Sequence, residues 1–139
     1  MPDAAQRMLA RDLGALVRRM HRLGYWHRDL YLCHVFAEET GDGFALSLID
    51  LGRLGHRARP RKRWFVKDLA ALWHSTPEGV PPRLALRFLA RWLDAHGVRG
   101  RSERRRWLRA VRRRARRMAA HAPRGGRSFP LPESPEESA

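Results

Sequence analysis

Cysteine is nearly absent: Cys33 is the only one in 139 residues. That excludes an internal disulfide partner and a zinc site built on several cysteines. Set in the apolar run "LYLCHVF", it is expected as a small core residue rather than a nucleophile. Lysine is scarce too, at Lys62 and Lys67 only, so a formal net charge of +15 rests almost wholly on arginine. Such an imbalance concerns partners rather than fold, and suits polyanions, an acidic membrane face or phosphorylated substrates. A GC-rich genome is the bland alternative for the arginine preference. No apolar run approaches the length that spans a bilayer. The start "MPDAAQRMLARD" lacks the apolar stretch of a secretory signal. The expected location is therefore cytoplasmic, including a membrane surface.

What is present suffices for a globular chain, with 43% hydrophobic residues. Leu9, Leu13, Leu16, Val17, Met20 and Leu23 recur at steps of three and four, which predicts an amphipathic helix over 3–23. Asp3 with Gln6 resembles a capping box, and Gly24 is the natural stop. After a loop over 24–34, Val35 to Ala37 and Phe44 to Ile49 read as two strands joined by "EETGDG", a hairpin over 35–49. The segment 50–63 begins at Asp50 and continues as the basic, proline-containing "RLGHRARPRKR", read as an exposed loop. Helical patterns resume over 64–75, 82–96 and 102–121, the last behind Ser102 as N-cap. The tail 122–139 has the Pro, Gly, Ser and Glu bias of a disordered end. The fold class is mainly α with a small β-hairpin, in one domain over 1–121.

The chemistry concentrates in "GYWHRDLYLCHVF". Its His27-Arg28-Asp29 resembles a protein-kinase catalytic loop, in which the aspartate orients or deprotonates the attacking hydroxyl. In that pattern a second carboxylate ends a strand and holds magnesium; Asp50 in "IDLGR" stands there, with Leu51 replacing the usual Phe as a residue able to pack, and Gly52 keeping the turn. The further metal ligand, five residues after Asp29, is His34 rather than Asn. Imidazole suits softer metals than magnesium, so contact with phosphate and a structural role stay open beside ligation.

Together, "HRDLYLCHVF", "LIDLGRL" and "VKDLAALWHST" resemble the lipopolysaccharide kinase (Kdo/WaaP) family over about residues 5–95. The resemblance implies the C-terminal lobe of a protein-kinase-like fold. It also implies a kinase that uses ATP and Mg2+ to phosphorylate an inner-core sugar of lipopolysaccharide, heptose or Kdo, at the cytoplasmic side of the inner membrane. Asp29 then corresponds to the catalytic aspartate, Asp50 to the metal aspartate, and Asp68 to a buried acid bracing a loop scaffold that includes His27 and Arg28. A His at position 34 lies within that family's variation. The glycine-rich loop, its phosphate lysine and that lysine's glutamate have no counterpart here, so the nucleotide-binding residues are unassigned and the N-terminal lobe is expected to be missing. The alternative reading is a non-catalytic, truncated remnant or binding module.

The basic segments each carry two readings. Arg53, Arg57, Arg59 and Arg61 either attract an acidic substrate or form a solvated loop. The arginine-rich 102–121 either lies on an anionic membrane or packs as a helix with a charged outer face. Its Trp107, Leu108, Val111 and Ala115 stripe favours packing. Nucleic-acid binding is the weakest reading, because most of the five tryptophans fall on apolar helix faces. His21, His56, His74, His96 and His121 show no metal-ligand spacing and receive no role.

Overall fold

Twenty residues of amphipathic sequence form α1, Asp3–Arg22, which buries Leu13, Gly14, Val17 and His21. The computed structural model describes residues 2–121, so the tail expected at 122–139 lies outside the described residues. The capping box does not form. Pro2 is the N-cap, its carbonyl accepts from the Gln6 N–H at 3.1 Å, and no side chain caps the helix. Asp3 therefore lies inside the first turn, where its charge favours the helix dipole. The helix stops as expected: Gly24 takes φ +87° and donates to the His21 carbonyl at 3.0 Å. Leu23, counted on the apolar stripe, is exposed because the chain has already left the helix.

The segments read as loops on either side of the hairpin are partly paired. Tyr25–Trp26 (β1) runs antiparallel to Gly55–His56 (β4), pairing Trp26 with Gly55. Two-residue strands carry no periodicity, which is why the sequence pattern missed them. Gly55 is required here, since a Cβ would overlap the Trp26 indole. That indole stacks on Trp64 at 5.5 Å.

The hairpin joins Val35–Glu39 (β2) to Phe44–Leu48 (β3), in register from Val35 opposite Leu48 to Glu39 opposite Phe44. Phe44, Leu46 and Leu48 alternate inward, following the period of two. Asp12 of α1 accepts from the Phe44 N–H at 2.8 Å, while Arg11 pairs with Asp12 and reaches the Asp42 carbonyl at 3.0 Å. Arg11 and the Phe44 N–H hold the Asp12 carboxyl below its ordinary range. Ahead of the hairpin, a short 3-10 turn over Leu32–His34 leaves Cys33 exposed, against expectation. The turn directs Leu32 inward, where its N–H meets the Ser75 hydroxyl at 2.9 Å, and its neighbour outward.

Helix α2, Lys62–Ser75, supplies the centre of the core with Leu69, Ala70, Ala71 and Leu72. It starts two residues before the expected 64, taking the end of the basic segment into its first turn. Against it pack Leu89, Trp92 and Leu93 of α3, Pro82–Ala95, and Trp107, Val111 and Ala115 of α4, Arg101–His121. The arginine-rich segment is thus a packing helix. Ser102 is not its cap, because α4 already begins at Arg101 and the Gly100 carbonyl accepts from the Arg104 N–H at 2.9 Å. Among the described residues, no helix is long and apolar enough to cross a membrane.

His96 closes α3 by stacking on Trp92, with ring centroids 3.7 Å apart. Its Nδ1–H donates to the Trp92 carbonyl at 2.9 Å, and Nε2 is buried without a partner. Burial therefore holds this imidazole below its ordinary value of 6.5, since a second N–H would be a buried, unsatisfied donor. The folded state takes up fewer protons here than the unfolded chain, so the stabilisation is present above pH 6.5 and is lost as pH falls toward the folded value. Thermal melts between about pH 7.5 and 5.5 should show a falling midpoint, and His96→Phe should flatten that dependence. An unchanged slope in the variant would assign the acid sensitivity elsewhere.

Candidate active site

The carboxylate of Asp68, fully buried in α2, accepts three hydrogen bonds that fix the loop. Its Oδ2 takes the His27 N–H at 2.8 Å and its Oδ1 the Arg28 N–H at 2.9 Å. The third donor is His21, whose Nε2 lies 2.8 Å from Oδ2. Trp92 donates its indole N–H to His21 Nδ1 at 2.9 Å, so Nδ1 must accept and Nε2 must carry the proton. A chain of hydrogen bonds thus runs from α3 through α1 to α2 and the loop.

His27 is also fully buried. Its Nδ1 accepts from the Asp29 N–H at 3.2 Å, and its Nε2–H donates to the Ile49 carbonyl at 2.8 Å. One imidazole therefore ties the loop to the end of β3, immediately before Asp50. Two residues of the site, Arg28 at φ +79° and Asp50 at φ +59°, hold left-handed conformations that cost non-glycine residues on the order of 1–3 kcal/mol. Arg28 is kept there by the Asp68 hydrogen bond to its own N–H. Its guanidinium lies 4.4 Å over the Trp64 ring.

Around this frame the three candidate groups converge. His34 Nδ1 is 2.6 Å from the Asp29 carbonyl, to which it must donate. Its Nε2 is then free to face Asp50, and lies 3.3 Å from Oδ2. Asp29 is paired at 3.1 Å with Arg53, from the turn after Asp50. The Asp50 carboxylate is 60% exposed, so it is open to a ligand rather than committed to the core.

Other expected positions differ. Leu51, expected to pack as the Phe of the kinase pattern would, is 50% exposed. The left-handed backbone falls on Asp50 rather than on Gly52, where a Cβ would meet nothing. Of the four arginines named for substrate, Arg53 alone reaches a catalytic-loop carboxylate; Arg57, Arg59 and Arg61 are exposed elsewhere on the segment. His21 received no role from the sequence. The usable signal was its place four residues after Val17 on the buried face of α1, where a polar ring demands partners.

The donor set fits a divalent cation held partly by ligand oxygens. Among the described residues no group of three or more His, Cys, Asp or Glu gathers as a protein-only metal site. Magnesium typically takes one or two carboxylates and completes its shell with phosphates and water. Asp50, with the Nε2 of His34 beside it, meets that requirement.

Removing the brace should be costly. Asp68→Ala leaves two loop N–H groups and His21 without their acceptor, and should destabilise the chain by roughly 3–5 kcal/mol in urea unfolding. A loss within about 0.5 kcal/mol, the range of ordinary surface substitutions, would show that the loop stands without it.

Comparison with known proteins gives the chain its family and fold. The model of the lipopolysaccharide kinase (Kdo/WaaP) family matches residues 1–92. The lipopolysaccharide core heptose(I) kinase WaaP of Pseudomonas aeruginosa is 42% identical over 93 residues, covering 63% of this chain and 35% of the relative. Its counterpart from Escherichia coli K12 is 39% identical over 94 residues, covering 63% and 36%. A solved structure described as WaaP in complex with acyl carrier protein superimposes with a TM-score of 0.71 at 34% identity, covering 85% of this chain and 51% of the other. The chain thus spans about a third of the length of the curated relatives it matches.

Proposed function

The chain belongs to the lipopolysaccharide kinase (Kdo/WaaP) family, and from that footing we propose that it carries the catalytic loop of an ATP- and Mg2+-dependent kinase. The acceptor is an inner-core sugar of lipopolysaccharide, heptose or Kdo. The observation that supports this most directly is His34, whose two ring nitrogens face the Asp29 carbonyl at 2.6 Å and the Asp50 carboxylate at 3.3 Å. His34 thus stands between the two segments that carry the acids phosphoryl transfer needs.

In this reading Asp29 accepts a hydrogen bond from the sugar hydroxyl and turns its lone pair toward the phosphate. Asp50, with His34 beside it, would hold the cation, which would supply charge neutralisation to the phosphate oxygens. His27, Arg28 and Asp68 do not touch the reacting atoms; they keep Asp29 in place, so catalysis rests on positioning and charge neutralisation. The work takes place at the cytoplasmic face of the inner membrane.

The decisive assay follows transfer of the ATP γ-phosphate to deacylated core oligosaccharide by the full-length product of the gene. Asp29→Ala should reduce turnover by at least about 100-fold, the scale of losing a positioned acid–base group. Equal turnover in wild type and variant would remove Asp29 from the mechanism. Absence of transfer in both, with no Mg-ATP binding at millimolar nucleotide, would favour a non-catalytic binding module.

We also extend to this chain the partner class of the solved relative. An apolar cavity of about 370 Å3 lies among Leu9, Leu13, Leu72, Trp73, Leu84 and Phe88, a lining suited to an acyl chain. Immobilised protein should retain acylated carrier protein and release the unacylated form. Equal retention of both would take the cavity out of the interaction.

A further inference from the structure

The groove between the first half of α2 and the second half of α4 carries one sign of charge. Arg53, Lys62, Arg63, Lys67, Arg113, Arg114 and Arg117 line a space of about 740 Å3, and no acid is among its lining residues. Both lysines of the chain are there. Lys62 is held with its ammonium 4.4 Å over the Trp107 ring, and the Arg114 Nε is buried without a hydrogen-bond partner. Among the described residues, the one carboxylate paired with a cation of this groove is Asp29, through Arg53. Burial and the neighbouring Arg53, Arg114 and Arg28 charges hold the Lys67 ammonium below its ordinary value, with Asp29 opposing them. Seven cations facing one space with so little compensation repel one another, and a bound polyanion relieves that repulsion.

We infer that this groove is the anion-binding half of the acceptor site, taking the phosphate or carboxylate groups of an acidic saccharide so that a neighbouring hydroxyl reaches Asp29. The inference rests on the phosphotransfer reading. Arg53 connects the two halves, since it both lines the groove and pairs with Asp29. An anion in the groove competes for Arg53 and frees the Asp29 carboxylate to accept from the hydroxyl. Acceptor binding and unmasking of the acid are then one event. A concave space between two helices suits a saccharide; the plane of an anionic bilayer would meet the outward arginines of α4 instead, such as Arg109 and Arg116.

The test is binding, measured by calorimetry on the full chain without nucleotide and at fixed salt. The probes are deacylated lipopolysaccharide core oligosaccharide, the same oligosaccharide after dephosphorylation and carboxyl reduction, and phosphatidylcholine vesicles with and without phosphatidylglycerol. Arg113→Ala with Arg117→Ala should weaken the acidic oligosaccharide by at least about tenfold, through loss of two charge-assisted contacts. Arg109→Ala with Arg116→Ala removes the same charge outside the groove and should change affinity less than about twofold. The neutralised oligosaccharide should bind wild type no better than it binds the groove variant. Equal weakening by both pairs would reduce the effect to net charge. Weakening confined to phosphatidylglycerol vesicles would assign the groove to lipid headgroups. Absence of oligosaccharide binding by wild type would remove the site. Each of these three results overturns the inference. No phosphate is transferred in this experiment, so its result and the fate of the kinase reading are separable.

Discussion

The buried carboxylate of Asp68 is the interaction on which the rest depends. A carboxylate out of water is strongly unfavourable unless hydrogen bonds replace its hydration. Here they come from His21 on α1 and from the backbone of His27 and Arg28. None of these donors belongs to the same element as Asp68, so satisfying the acid requires α1, α2 and the loop to come together. Trp92 extends the requirement to α3 through His21. The apolar core makes the helices adhere, but the acid sets their register, because a shift of one residue would leave a buried charge without partners.

Charge elsewhere is distributed by a different rule. The arginines of α4 mostly face solvent, where long side chains lose little by being charged, while Trp107, Val111 and Ala115 take the buried stripe. Around Asp29 and Asp50 the backbone itself is under tension, with two non-glycine residues left-handed. The core provides the over-determined surroundings that such conformations need. The Asp68 brace thus holds the loop that carries Asp29, and Arg53 lies beside that acid on its open side.

Much of this was legible in the sequence. The helices followed from apolar periodicity, and Asp29, Asp50, Asp68 and His34 stood in short patterns that the fold brings to one loop region. Relations between distant positions were not legible. His21 and Trp92 are 71 residues apart, and no local pattern announces that one indole will fix the tautomer of one imidazole. The β1–β4 pair was too short for any period to register. Cys33 and Leu51 were misjudged because an apolar neighbourhood in sequence does not say which way a tight turn directs each side chain. The cationic groove was hidden differently: its cations were visible, but Arg53, Lys62 and Arg113 sit in three segments read separately.

The route from Trp92 to Asp68 works like triangulation. The loop is a point surveyed from stations on three helices, and such a point drifts only when a station moves. The hairpin tip between Glu39 and Phe44 is not a station: its bonds reach α1 through Asp12 and Arg11, and none reaches Asp68, His21 or His27. A change in its length would therefore leave the His27–Asp29 loop where it is. The reverse holds for α3, whose remoteness from Asp29 along the chain conceals that its tryptophan is one of the survey points.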